Sequence, residues 1–241
     1  MQKRAKKRTS KVAKNTLTTT TGNVPAVLAK GPAVGTEHLT AEDMHMPRLV
    51  LAQAMSPQVN KSNPEYVDGL GVGDLFNSVS GLVYGPGPLT FSILVAHPPR
   101  AIEFTPLSEG GGVLDPNVPL TDPRLQFGPN GEHPQATKFY DYVIFLHESQ
   151  EIIAMSLARS AIKAAKSLNG LIMMRGTGIF TGAYTVNSVQ ATSKEGTYMT
   201  WKFRNAGNAT DAQVEQFSLL YENLKTATPA VVKQTDIVPE V

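Results

Sequence analysis

The sequence predicts a mainly β domain with helices, built as a small five-stranded barrel with one helix between its third and fourth strands. Three observations lead to this prediction. Runs rich in β-branched and aromatic residues recur along the central part of the chain. Clusters of glycine and proline separate these runs. One long amphipathic run interrupts them, and a second follows the last of them.

Both ends of the chain are predicted to lie outside this domain, which spans residues 46–225. Residues 1–45 are predicted to be a disordered basic arm, because the first 36 residues contain eight Lys or Arg and no acid. Such an arm either contacts a polyanion or keeps the chain in solution, and the sequence leaves both alternatives open. Residues 226–241 are predicted to be a flexible tail.

The first three barrel strands are predicted from apolar and alternating runs. The first is RLVLAQAM (48–55), and the second is LTFSILVAH (89–97), which ends at two prolines. The third is KFYDYVIFLH (138–147), and IIAM (152–155) returns as its hairpin partner. Residues 106–137 are rich in Gly and Pro and are predicted to form a long loop, which in a compact domain is usually functional or disordered.

The helix between strands three and four is predicted over LARSAIKAAKSLNGLI (157–172), with Ser156 as its N-cap and Gly170 at its end. At about 100° per residue, its three basic residues fall within an arc of about 60°, opposite an apolar face. These basic residues are Arg159, Lys163 and Lys166. The stripe is either a solvated face or a line of phosphate contacts.

The last two strands are predicted at 179–192 and 197–204, and an appended C-terminal helix is predicted at 211–225. TYMTWKFR (197–204) alternates, so that Tyr198, Lys202 and Arg204 share one face. Trp201 lies on the other face with Met199 and Phe203, and it is therefore predicted to pack in the core.

Composition excludes several classes of function. The chain contains no cysteine, and its five histidines fall in separate elements without ligand spacing, so neither a metal site nor a cofactor is expected. No Gly-x-Ser-x-Gly motif surrounds a serine, and an enzyme is not expected. No apolar run approaches the roughly 18 residues that a membrane helix needs. Residues 37–241 carry 14 basic and 20 acidic residues, so any polyanion site must be local.

A helix between the third and fourth strands of a small β barrel is typical of the oligonucleotide-binding (OB) fold. Four segments also resemble phage-encoded single-stranded DNA-binding proteins of that fold: MPRLVLAQAMSP, GDLFNSVSGLVYG, IIAMSLARSAIKAAKSLNGLI and YTVNSVQATSKEGTYMTWKF. The resemblance covers roughly residues 46–225. It implies a protein that coats single-stranded DNA during phage replication or recombination, in the host cytoplasm and alongside other replication or recombination proteins. Many such proteins end in a strongly acidic tail, whereas this tail has only Asp236, Glu240 and the terminal carboxylate and also carries Lys233.

Single-strand binding requires cations for phosphates and flat side chains for base stacking. The candidate residues are therefore Arg159, Lys163, Lys166, Tyr198, Lys202, Arg204, Lys138, Tyr140 and Arg175. Tyr198 is equally explained as a half-buried surface tyrosine, and Arg175 as part of an ordinary helix-to-strand connection. The alternative function is a phage structural or assembly protein whose basic arm contacts nucleic acid or a partner chain. The sequence does not distinguish a monomer from a homodimer.

Overall fold

A computed structural model describes residues 46–109, 111–193 and 196–225. The predicted basic arm and flexible tail lie outside these residues. The strands are β1 (Leu49–Leu51), β2 (Leu75–Asn77), β3 (Val83–Gly85), β4 (Leu89–Ala96), β5 (Arg100–Phe104), β6 (Val113–Asp115), β7 (Ala136–Leu146), β8 (Glu151–Ala158), β9 (Gly182–Ser193) and β10 (Gly196–Asn208). The helices are α1 (Ile162–Met173) and α2 (Asp211–Leu224). Neither of these helices has the length and apolar character required to cross a bilayer.

The protein is mainly β, and its larger sheet is antiparallel and centred on β7. One edge of β7 pairs with β8, while the other edge pairs with β5 through residues 136–139 and with β4 through residues 142–146. Beyond β4 the sheet continues to β9 and β10, and beyond β5 to β6. Because β7 is covered on both faces, its sequence is a nearly continuous apolar run.

The predicted mainly β class with helices is confirmed, but the sheet is not closed into a barrel. The segment 48–55, predicted as a barrel strand, instead contributes β1 to a separate three-stranded sheet with β2 and β3. The segment lies between the outer edges of β8 and β10. The Ala154 amide of β8 donates to the Pro47 carbonyl at 2.9 Å. The Gln53 amide group donates to the Met199 carbonyl at 2.7 Å and accepts from the Met199 amide at 3.0 Å.

Helix α1 begins later than predicted. Strand β8 continues through Ala158, a short 3-10 turn covers Arg159–Ala161, and the helix runs from Ile162 to Met173. The predicted N-cap, Ser156, is a strand residue opposite Asp141. Gly170, predicted to end the helix, lies inside it. The reason is tertiary, because pairing with β7 holds this segment extended despite its helix-favouring composition.

Two apolar clusters hold the sheet and helices together. The larger lies between the inner face of the sheet and α1, where Phe91, Ile144 and Leu168 are fully buried. The second lies on the other face, where Phe217 of α2 packs against Phe145 of β7. The predicted last helix is confirmed, and a capping box at Thr210 begins it.

The long Gly/Pro-rich segment 106–137 has a defined structure in its described residues. Strand β6 pairs with β5, and a 3-10 turn follows at Pro123–Leu125. The guanidinium of Arg124 contacts the carboxylates of Glu103, Asp115 and Asp122 at 2.5–3.1 Å. This ion-pair network ties the segment to the edge of the sheet.

The turn before β4 provides a test of backbone strain. Gly87 has a φ of +95°, and a Cβ there would lie 2.5 Å from the carbonyl oxygen of Val186. Gly87→Ala is expected to lower the free energy of unfolding by about 3 kcal/mol, measured by urea denaturation. Gly85 has a φ of +80° but open space around it, so Gly85→Ala should cost only about 1 kcal/mol. Equal losses for the two variants would contradict the steric contribution.

The histidine between β7 and α2 should make stability pH-dependent. The His147 ring is within hydrogen-bonding distance of Ser92 Oγ (3.0 Å) and Gln213 Nε2 (3.2 Å), and burial lowers its pKa from the ordinary 6.5. The pKa of His97 is lowered for the same reason. A histidine with a depressed folded-state pKa stabilises the fold fully above the unfolded pKa, and this contribution falls as pH drops below it.

We therefore expect the free energy of unfolding to fall between pH 7 and pH 5, and His147→Gln to show a smaller fall. Urea titrations at each pH measure both. If the free energy of unfolding of His147→Gln fell as much as that of the parent, groups other than His147 would cause the pH dependence.

Candidate functional site

Positive charge is concentrated in one continuous part of the domain. Residues 152–210, which include α1, β9 and β10, contain one acid, Glu195, and seven basic residues: Arg159, Lys163, Lys166, Arg175, Lys194, Lys202 and Arg204. Residues 46–151 contain five basic and eleven acidic residues. Helix α1 packs against the face of β10 that carries Met199, Trp201 and Phe203, so Lys202 and Arg204 lie on the face of the strand that points away from the helix.

The outer face of the β9–β10 hairpin carries three of the predicted residues. Tyr198, Lys202 and Arg204 alternate along β10 and lie opposite Ala191, Asn187 and Thr185 of β9. Lys202 and Arg204 are exposed and Tyr198 is half-buried. Neither strand contains an Asp or Glu. This hairpin face therefore presents two cations, about 7 Å apart along the strand, and an aromatic ring, on two strands that contain no carboxylate.

Helix α1 presents two basic residues rather than three. Lys163 and Lys166 are exposed and lie one turn apart, on the side opposite the buried Ala165 and Leu168. Arg159 precedes the helix, is half-buried, and has a φ of +49°. The predicted three-residue stripe is wrong in this respect, because Arg159 belongs to the strand-to-helix turn.

Arg175 holds the end of β10 in place. Its guanidinium donates to Asn208 Oδ1 at 2.7 Å, to Asn205 Oδ1 at 2.5 Å and to the Gly207 carbonyl. It also lies 5.1 Å from the centre of the Tyr184 ring. These contacts occupy the guanidinium with partners inside the protein, on both sides of the bulge in β10.

Lys138 and Tyr140 form a pair on β7. The Lys138 ammonium lies 5.1 Å from the centre of the Tyr140 ring, and the tyrosine packs against the main apolar cluster. Both residues are half-buried. The structure thus brings these two candidates together, but the Tyr140 ring is already covered by the lysine and the core.

The sequence did not predict a cleft between the 47–53 segment and the end of β8, which we call the seam cleft. Its cavity volume is about 80 Å³, and none of the described residues that line it is acidic. The lining residues are Arg48, Leu49, Val50, Leu51, Gln53, Phe139, Ser156, Ala158, Arg159, Ser160, Ala161, Met199 and Trp201. Trp201, predicted to lie in the core, packs against it but remains partly exposed on the cleft side. Its ring is stacked on Phe203, with centroids 6.2 Å apart and planes at 12°.

A buried ion pair lies behind this cleft. Asp141 accepts from Arg100 Nε at 2.7 Å and from Ser156 Oγ at 2.5 Å, and its side chain is 4% exposed. The hydroxyl of Ser156 thus donates to a carboxylate that already has a cationic partner. Nearby, the buried Nε2 of His97 has no hydrogen-bond partner among the described residues. The arrangement satisfies buried charges across three strands. Within the described part of the chain, no group of three or more His, Asp and Glu is arranged to hold a metal ion.

Comparison with known proteins identifies one family. The model of a family described as Pam3 phage gp34-like protein matches residues 14–233. No curated protein matches the chain, and no solved structure does so either.

Proposed function

The chain belongs to the Pam3 phage gp34-like family, and from that premise we propose that it is a non-enzymatic phage protein that binds single-stranded DNA with little sequence preference. In this role it coats single strands during phage DNA replication or recombination in the host cytoplasm, beside other proteins of that process. The proposal requires no cofactor.

The observation that supports it most is the outer face of the β9–β10 hairpin. Proteins that bind single strands without sequence preference combine cations along the backbone with rings on which bases stack. Lys202 and Arg204 provide the cations and Tyr198 the ring, on two strands that contain no acid. Lys163 and Lys166 on the neighbouring helix add two further exposed cations.

The order of the strands supports a fold assignment within the proposal. The strands β8-β7-β4-β9-β10 are neighbours in that order, and α1 connects β8 to β9. In chain order these five strands are β4, β7, β8, β9 and β10. The first of them, β4, is the middle strand of the five, and α1 lies between the third, β8, and the fourth, β9. We assign this to a partly open OB arrangement, in which the 47–53 segment replaces the closing ladder between β8 and β10.

The test is a fluorescence anisotropy titration of labelled oligo(dT) and of a labelled duplex at several salt concentrations. We expect the single strand to bind more tightly, with log Kd rising linearly with log salt. Four phosphate contacts, from Lys163, Lys166, Lys202 and Arg204, predict a slope of about 3, at roughly 0.7 per contact. Absence of binding, or binding that does not depend on salt, would refute the proposal.

The alternative of a structural or assembly protein is distinguished by deleting residues 1–36. Under the proposal, the deletion leaves most of the affinity for oligo(dT), because the domain supplies the main contacts. If the basic arm supplies the contact, the deletion abolishes binding.

A further inference from the structure

The seam cleft is held in shape by contacts from three directions. The Gln53 amide group makes two hydrogen bonds to the backbone of Met199, as a neighbouring strand would. Gly73 approaches the side chain of Met199 so closely that a Cβ there would lie 2.8 Å from the methionine Cε. The Ala154 amide fixes the start of the segment through Pro47. The cleft is therefore preformed.

The chemistry of its lining suits an anion attached to a flat ring. Two arginines, Arg48 and Arg159, line it together with Trp201, and no acid is among the lining residues in the described part of the chain. The Ser156 hydroxyl donates to Asp141, and the charge of that carboxylate is balanced by Arg100. The buried acid behind the wall therefore does not oppose an anion in the cleft.

Arg159 is placed in the cleft by an unusual backbone conformation. Its φ of +49° lies in the left-handed region, which costs a non-glycine residue roughly 1–2 kcal/mol. Glycine would make the same turn without that cost. An arginine at this position, half-exposed beside a tryptophan, makes the turn a candidate for function.

We propose that the seam cleft binds one unpaired nucleotide of the DNA strand, with its phosphate at Arg159 and one edge of its base against Trp201. The inference rests on the proposed single-strand binding and adds a specific site to it. It also accounts for a preference for single strands. A cavity of about 80 Å³ is smaller than the roughly 150 Å³ that encloses a benzene ring, so a base enters only by an edge.

In a duplex, the stacking and pairing of the bases keep that edge from turning into a cleft. Met199 and Trp201 alternate along β10 with Tyr198 and Lys202, so the cleft and the hairpin face lie on the two faces of one strand. A strand that crosses the edge of β10 therefore reaches both.

Trp201 is the single tryptophan of the chain, so its fluorescence reports on this site directly. We expect oligo(dT) to quench its emission at the same concentrations at which the anisotropy of a labelled oligo(dT) rises. Binding seen by anisotropy with unchanged tryptophan emission would overturn the cleft proposal and leave the proposed function intact. Absence of binding by both measurements would overturn both.

Arg159→Gly tests the arginine without disturbing the turn, since glycine favours its φ. We expect this variant to bind oligo(dT) about 5–10 times more weakly and to lose most of the quenching. The matched control is Lys225→Gly, which removes one cation from the end of α2 and should change affinity less than about twofold. If Arg159→Gly bound oligo(dT) as tightly as the control and showed the same quenching, the proposal would be overturned.

Discussion

Replacing Lys202 and Arg204 together by glutamate is expected to weaken binding to oligo(dT) on the order of 100-fold at low salt. The substitution removes two of the proposed phosphate contacts and places two carboxylates on strands that contain none. The slope of log Kd against log salt should decrease by about 1.4, because each lost contact to a single strand removes roughly 0.7. The measurement is the salt-dependent anisotropy titration.

The control for this variant matches its change in net charge. Lys61→Glu with Lys225→Glu alters two exposed lysines outside the basic stretch 152–210 and should lower affinity only a few-fold. The free energy of unfolding of both double variants should lie within about 0.5 kcal/mol of that of the parent, since the residues are exposed. If both variants lost affinity equally, overall charge rather than the hairpin face would explain binding.

Asp141→Ala is expected to lower the free energy of unfolding by about 3 kcal/mol, the largest stability effect predicted for a single polar residue here. The carboxylate is almost fully buried and accepts hydrogen bonds from Arg100 and Ser156. Its removal leaves the Arg100 guanidinium, which is 26% exposed, beside the Phe139 ring without its carboxylate partner. A loss of this size is a large share of the 5–15 kcal/mol typical of folded domains. Urea denaturation measures it.

A double variant separates the loss of a partner from the value of the pair. Arg100→Met with Asp141→Leu replaces both charges by apolar groups and should recover most of the lost stability, because the charge that loses its carboxylate partner is removed as well. Ser156→Ala alone should cost about 1 kcal/mol. If the double variant were as unstable as Asp141→Ala, the ion pair itself would contribute net stability.

The elements predicted correctly have either a clear alternation of side chains along the strand or a hairpin partner that directly follows them in the chain. The alternation in β10 placed Tyr198, Lys202 and Arg204 on one face, and the structure has them there. The apolar run of β7 and its hairpin return are confirmed. The start of α1 was wrong because LARSAIKAAK has high helix propensity throughout, whereas the ladder with β7 decides that Leu157 and Ala158 are extended.

The seam cleft could not be predicted from the sequence. It depends on contacts such as that between Gln53 and Met199, which are 146 residues apart. Trp201 lies on the predicted core-facing side of β10, but it is partly exposed. The alternation of residues gives the face of a strand and does not show which part of that face other elements leave uncovered. Whether Tyr198 stacks on a base stays a prediction.

The two hydrogen bonds from the side chain of Gln53 also affect how copies of the protein behave when crowded. A strand whose edge groups are unpaired is a template for sheet addition by another molecule, which leads to aggregation. Gln53 occupies the donor and acceptor of Met199 on the outer edge of β10, and the 47–53 segment covers the neighbouring edge of β8. Copies at high local concentration then have fewer free edges at which to fuse into a continuous sheet, so they stay separable.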